Sequence, residues 1–334
     1  MLAKTLNTLE IARHFCDSVP HNRDLGIEIV SMDNELATMR LKPHPGLLGD
    51  SSRNLVFNSV NLSLADACSG LAVFIATKTL LPISTLDLRM DYLRAAPGHQ
   101  ALTAIASCYR HTTEIAFVRC SVYSEGTVEP VAIGSSVFMR AKEGGKGQEV
   151  WKAALAKGKS PGMETDVDHQ TPKSLSSQSI ATAGARPAGE SFNQLDEEGG
   201  DLSRLIERLP YAKHLGLCVA TVSGVRYIKM PYRSGLIGNM TLPALHGGTL
   251  GALMEISALI ACQRLDSLRR MPKLIDSTID YLRSGKAKDT YALATIIRSG
   301  QRVITVHVEC WQDDSVNVIA VMRMQLLVAG SSPQ

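Results

Sequence analysis

The chain is expected to fold as two α+β domains in tandem, each an antiparallel sheet curled around one long central helix. Three observations predict this: motifs that recur at one offset, a single helix-length apolar segment in each copy, and alternating strands after each segment. Gly46-Leu47-Leu48-Gly49 answers to Gly235-Leu236-Ile237-Gly238, Asp66 to Glu255, and Asp91-Tyr92-Leu93-Arg94 to Asp280-Tyr281-Leu282-Arg283. The offsets 235 − 46, 255 − 66 and 280 − 91 all equal 189. Upstream, Pro20 and Leu25-Gly26 match Pro210 and Leu215-Gly216, one residue out of that register. A period this long marks a duplicated domain, since solenoid repeats run to roughly 20–50 residues.

Each copy opens with a short amphipathic helix, at residues 9–18 and 202–209, that leads through proline to Leu-Gly. Residues 27–41 and 217–230 carry β-branched side chains around small turns and fit a first pair of strands. After an irregular glycine-containing loop come residues 61–81 and 249–268. They are rich in Ala and Leu and apolar nearly all round, as a helix buried on most sides must be. Strands follow at 84–92, 100–110, 115–124 and 130–140, and again at 273–281, 289–298, 303–312 and 316–328. Val118, Cys120 and Val122 alternate with Arg119 and Ser121, and Val306, Val308 and Cys310 with His307 and Glu309. That period of two marks strands with one buried face. A helix followed by an antiparallel meander gives the α+β class.

The domains are placed at 1–140 and 201–330, with a linker at 141–200 built mostly from Gly, Ser, Lys, Pro, Gln and Glu. Residues 171–190 read as flexible, and 149–156 as one short helix around Trp151. The whole chain of 334 residues has room for two cores. A net charge of +3 without a dense basic block argues against a nucleic-acid partner. The first ten residues lack the apolar core of a signal peptide, and no apolar run is expected to approach the 20 or so residues that cross a bilayer. Seven scattered cysteines, an odd count without a Cys-x-x-Cys pair, suit reduced, buried side chains in the cytoplasm. No metal site is indicated.

Chemistry is expected at His246-Gly247-Gly248, which runs straight into the second long helix. Two glycines at a helix start let a ligand approach the backbone, because no Cβ intervenes. The free N–H groups there carry the positive end of the helix dipole and can hold charge developing on a carbonyl oxygen. Glu255, nine residues later, lies about 13 Å along the same helix and cannot act on the same atom. If two such helices pack antiparallel, the glycine end of one meets the carboxylate of the other.

His-Gly-Gly, an acid nine residues beyond the histidine, and the later Asp-x-x-x-Asp-Tyr-Leu-Arg strand together resemble the PaaI-type hotdog-fold acyl-CoA thioesterases. Leu64-Ala65-Asp66-Ala67 and the segment from Thr85 to Arg94 strengthen the resemblance, which covers about residues 9–140 and 202–328. It implies two paired hotdog units whose sheets join and whose helices run antiparallel. One composite site would take His246, Gly247 and Gly248 from the second copy, with Asp66 as nucleophile or general base and Thr85 positioning water from the first. Asp66 would either attack the thioester directly or take a proton from water, and His246 would orient the loop.

The other site would join Glu255 to Phe57-Asn58-Ser59, with Leu274 where a threonine is wanted, and is expected to be inactive. Gly248, Asn58, Glu255, Arg94 and Arg283 would contact substrate, the arginines reaching coenzyme A phosphates. Coenzyme A enters as part of the substrate, so no resident cofactor is implied. No membrane partner is expected, and two double-hotdog chains are expected to pair as a homodimer. The competing function is a catalytically silent acyl-CoA-binding or sensory module. A hydratase is disfavoured, since its Gly-Asp-x-Asn-Pro-x-His motif is missing. His21, His111 and His214 read as surface or packing residues.

Overall fold

The computed structural model describes residues 16–33, 35–50, 52–79, 81–141, 200–222, 225–239, 243–263, 265 and 271–328. The expected linker with its short helix around Trp151, and most of the first amphipathic helix, lie outside the described residues.

The first copy comprises α1 (Pro20–Leu25), β1 (Ile27–Asp33), β2 (Leu36–Leu41), the short β3 (Leu48–Asp50) and β4 (Leu55–Val56), and the central α2 (Asn58–Thr77). Four long strands follow: β5 (Ile83–Tyr92), β6 (Leu102–His111), β7 (Ile115–Ser124) and β8 (Ala132–Arg140). The second copy repeats the plan with α3 (Gly200–Glu207), α4 (Pro210–Leu215), β9 (Cys218–Val222), β10 (Val225–Met230), β11 (Ile237–Asn239), β12 (Ala244–Leu245) and the central α5 (Gly247–Gln263). Its long strands are β13 (Lys273–Tyr281), β14 (Thr290–Ser299), β15 (Val303–Trp311) and β16 (Ala320–Leu327). The central helices begin two or three residues earlier than the apolar runs suggested, because the Asn58 and Gly247 ends are polar or small but already helical.

Proline opens and glycine closes both short leading helices. Gly26 and Gly216 take φ of 74° and 73°, the left-handed cap geometry that costs other residues a Cβ clash. The leading helices are exchanged between copies: α1 lies against the second copy's turn at Ser234–Leu236 and β11, and α4 against the first copy's turn at Pro45–Leu47 and β3.

Twelve strands form one antiparallel sheet in the order β1-β2-β6-β7-β8-β5-β13-β16-β15-β14-β10-β9. The copies meet where β5 pairs with β13, in the register Asp91–Asp276, Met90–Ser277, Arg89–Thr278, Leu88–Ile279 and Asp87–Asp280. Because 278 − 89 is again 189, the pseudo-twofold axis passes between Arg89 and Thr278. Alternation along β7 turns Val118, Cys120 and Val122 inward, where they pack with Leu62, Leu64, Ala65 and Val73 of α2 in the common core. Five cysteines (16, 68, 120, 262 and 310) are buried and all seven are free.

The expectation that no run approaches bilayer length is corrected by α2. Its 20 residues are long and apolar enough to cross a membrane, but 78% of its most apolar window is buried inside the protein.

The two central helices pack directly on each other. Ser59 faces Glu255, Leu62 faces Gly251, Ser63 faces Gly248 and Asp66 faces Gly247, so the numbers rise on one helix as they fall on the other. The helices are antiparallel. Their backbones approach closely where a Cβ on Gly248 would stand 2.8 Å from Ser63 Cα and overlap its hydroxyl. Gly248→Ala is therefore expected to cost ~1–3 kcal/mol of stability by forcing the helices apart. Gly70→Ala is the control, since its methyl would meet only Ile83 Cδ1 at 3.4 Å. It should be neutral or gain up to ~1 kcal/mol of helix propensity. Denaturant unfolding of both variants checks this, and equal losses would sink the close-approach account.

Candidate active site between the two copies

The start of α5 is organised by His246. Its backbone carbonyl accepts Thr249 N–H at 3.0 Å and the Thr249 hydroxyl at 2.7 Å. Its Nδ1 accepts Gly248 N–H at 3.0 Å. Gly248, expected to contact substrate, thus donates its N–H to the protein. Gly247 occupies the first helical position, where the N–H has no intrahelical acceptor. Among the described residues no other acceptor meets it. A Cβ on Gly247 would stand 2.9 Å from the Tyr281 hydroxyl oxygen and 3.0 Å from Asp66 Oδ2, so only glycine fits. Tyr281 donates its hydroxyl to the Gly247 carbonyl at 3.0 Å.

Asp66 reaches this point from the middle of α2 and is 7% exposed. Thr85 donates to its Oδ1 at 2.9 Å. A bulge in the β5–β8 register between Thr85 and Asp87 turns Thr85 toward the helix, against simple alternation with Leu88 and Met90. The other oxygen, Oδ2, lies 3.7 Å from His246 Nδ1. That is proximity without a hydrogen bond, because this nitrogen already accepts Gly248 N–H and the neutral ring carries its proton on Nε2. Burial raises the Asp66 carboxyl above its ordinary value, opposed by His246 and the Thr85 bond. Burial lowers His246, opposed by Asp66. Both groups are biased toward neutrality by the loss of water.

His21 completes this side. Carried in by the exchanged α1, its fully buried ring packs 4.8 Å from that of His246 at a 48° tilt. Its Nε2 lies 3.4 Å from Ser63 Oγ. Burial holds it well below the usual histidine value, and the neighbouring His246, His214 and Arg233 push the same way. His21 is a packing residue as expected, but one packed against the site. His214 bonds Asp24 across the copies at 2.9 Å, and His111 is exposed.

Asp66, Thr85, His246, Gly247 and Tyr281 line one cavity of about 440 Å³. Leu71, Phe74 and Phe138 supply apolar lining to it, and Arg283 and Asn239 polar lining. Arg283 also donates to the Val318 carbonyl. Arg94, its counterpart, instead pairs with Glu129 and does not line this cavity.

The pseudo-equivalent point is closed. Glu255 is fully buried and accepts Asn58 Nδ2 at 3.0 Å and the Ser59 hydroxyl. Burial lifts its carboxyl to about 7 in spite of those bonds. Phe57 stands where His246 does and packs 5.7 Å from Tyr211, the counterpart of His21, at a 38° tilt. Leu274 replaces Thr85. At the 189 offset Ala67 and Gly70, which line the first cavity, become the larger Ile256 and Leu259. Among the described residues no group of three His, Cys, Asp or Glu side chains could hold a metal ion.

Comparison with known proteins agrees with this architecture. The thioesterase superfamily model matches twice, at residues 54–131 and 242–319. The medium/long-chain acyl-CoA thioesterase YigI of Escherichia coli K12 is 28% identical over 128 residues, covering 34% of this chain and 82% of that protein. A hot dog protein of unknown function from Alicyclobacillus acidocaldarius is 12% identical and covers 95% of this chain and 98% of its own, with a TM-score of 0.54. A structure from Novosphingobium aromaticivorans behaves alike, at 13% identity, 90% and 98% coverage and a TM-score of 0.55. Both show the fold across the tandem. Each match to the family model falls on one helix-and-sheet unit, and the chain is therefore a thioester hydrolase that carries two thioesterase-superfamily hotdog domains in tandem.

Proposed function

We propose that the chain hydrolyses acyl-CoA thioesters at the composite site formed by His246 and Gly247 of the second copy with Asp66 and Thr85 of the first. The observation that carries this is the meeting of Asp66 Oδ2 with the Gly247 backbone in a cavity large enough for an acyl chain. The likeness to an acyl-CoA thioesterase supports the substrate class.

The thioester carbonyl would sit against Gly247 N–H, at the positive end of α5, so that charge growing on its oxygen is stabilised where water is scarce. Asp66 keeps Oδ2 free while Thr85 fixes Oδ1. In one route Oδ2 takes a proton from water as the water oxygen adds to the carbonyl carbon. The tetrahedral oxyanion then collapses, the C–S bond breaks, and the thiolate of coenzyme A leaves with the proton held on Asp66. In the other route Oδ2 itself adds, the thiolate departs, and water cleaves the resulting anhydride. A single turnover in ¹⁸O-water that places label in the Asp66 carboxyl marks the second route with water adding at the aspartyl carbon, and trapping of an acyl-Asp66 anhydride marks that route whichever carbonyl the water attacks.

Asp66→Asn is expected to lower thiol release from short, medium, long and aromatic acyl-CoAs by on the order of 10²–10⁴-fold, with Glu255→Gln close to wild type. Wild-type rate should fall on the acid side through a pKa above the ordinary aspartate value of 3.8. Tight binding of acyl-CoA by a wild type that hydrolyses none of the panel would replace the enzyme by a binding module.

Glu255→Gln carries a stability signature as well. The folded protein holds the Glu255 proton up to about pH 7, against 4.5 for the ordinary group. The acid form's contribution is therefore complete below pH 4.5 and lost as pH rises through 7. Glutamine keeps an uncharged acceptor for Asn58, so its advantage over wild type should grow across that window toward ~3 kcal/mol. Unfolding curves at pH 4.5, 6 and 8 read this, and a pH-independent difference would refute it.

A further inference from the structure

The peptide joining Gly247 to Gly248 is held from both sides. Its carbonyl accepts the Tyr281 hydroxyl at 3.0 Å and its N–H donates to His246 Nδ1 at 3.0 Å. The preceding peptide carries the Gly247 N–H, the group that would meet the oxyanion. The angle between these two peptides depends on the backbone torsions of Gly247 alone, and glycine imposes little preference on them. No side chain can supply that restraint, because a Cβ would meet Tyr281 and Asp66 at about 3 Å.

We propose that Tyr281 is a positioning residue: by holding the carbonyl of Gly247 it aims the neighbouring Gly247 N–H at the reacting carbonyl oxygen. The proposal rests on the thioesterase reading of this site. Tyr281 also lines the cavity, so the restraint comes from the wall that faces the substrate. A carbonyl that accepts a hydrogen bond polarises the N–H of the same peptide, so the two restraints reinforce each other. Burial, and then the Asp66 charge, push the Tyr281 hydroxyl well above the usual tyrosine range, so it remains a donor whatever the state of Asp66.

The closed site lacks both restraints. Tyr92 occupies the same place in the Asp-Tyr-Leu-Arg strand, yet its hydroxyl lies 3.5 Å from Ser277 Oγ. Phe57, in the position of His246, has no ring nitrogen to accept an N–H. The two tyrosines are thus equal in sequence setting and different in bonding, which makes one the control for the other.

The experiment compares Tyr281→Phe with Tyr92→Phe in the full chain, using the acyl-CoA that wild type hydrolyses fastest. Tyr281→Phe removes one oxygen and is expected to lower kcat by about tenfold or more, with KM little changed, against the 10²–10³ typical of deleting an oxyanion donor outright. Tyr92→Phe should leave both parameters at wild-type values. Amide hydrogen exchange at Gly248 should quicken in Tyr281→Phe and stay unchanged in Tyr92→Phe. A wild-type kcat in Tyr281→Phe, an equal loss in Tyr92→Phe, or unaltered exchange at Gly248 would each overturn the proposal. If wild type hydrolyses no thioester, the thioesterase reading fails by itself, and the exchange comparison still decides whether Tyr281 restrains the peptide.

Discussion

Across the contact between α2 and α5, Gly248 lies against Ser63 and Gly251 against Leu62, with no room for a further methyl at the first pair. Everything at the site follows from that approach. Each helix carries a polar start and a carboxylate two turns or more inside it, too far apart to cooperate along one axis. Antiparallel packing at close range turns these separate features into facing pairs. The β5–β13 seam then fixes the axial position of one helix against the other, since a slip of one residue would turn the inward side chains of the joining strands outward. The exchanged α1 and α4 add a second connection on the opposite side of the helices.

Both copies bury a carboxylate in an apolar helix, and their surroundings give them opposite characters. Glu255 receives a donor at each oxygen, from Asn58 and Ser59, and the larger Ile256 and Leu259 stand beside it where the other copy has Ala67 and Gly70. Asp66 receives one donor, from Thr85, and turns its other oxygen toward a cavity and a helix N-terminus. An incompletely satisfied buried carboxylate costs stability, and here the unsatisfied oxygen is the one the proposed chemistry would use. Burial raises both carboxyls, but of the two only Asp66 lines the cavity of about 440 Å³.

Much of this was legible in the sequence. The strands at 115–124 and 273–281 were recoverable to the residue, because alternating side chains with one buried face leave little freedom of register. The pairing of Asp66 with His246 and Gly247 came from the resemblance to the hotdog thioesterases, carried onto the two copies residue by residue. Other parts depend on three-dimensional facts with no local signature. The bulge that redirects Thr85 is an extra residue in one strand relative to its neighbour, invisible without the pairing. His21 enters the site on a helix exchanged between copies, and only its match to Tyr211 hinted that an aromatic ring is needed there. Gly248 looked like a substrate contact until His246 was seen to accept its N–H. The bulkier side chains beside Glu255 could have been read from Ile256 and Leu259 against Ala67 and Gly70, had size rather than motif been compared.

The seam at Arg89 and Thr278 shows what joining two hotdog units on one polypeptide permits. Were the units identical and separate, the residue on the axis would meet its own copy, arginine against arginine or threonine against threonine. Here Arg89 lies opposite Thr278 and bonds Asp91 at 2.8 Å, while Asp87 and Asp280 remain opposed and burial with that neighbour raises the Asp87 carboxyl. A surface that need not complement itself can assign a cation to one side alone. The same freedom extends to the cavities: in a symmetric pair every substitution strikes both sites at once, whereas a fused chain can fill one pocket with Leu259 and leave the other open at Gly70.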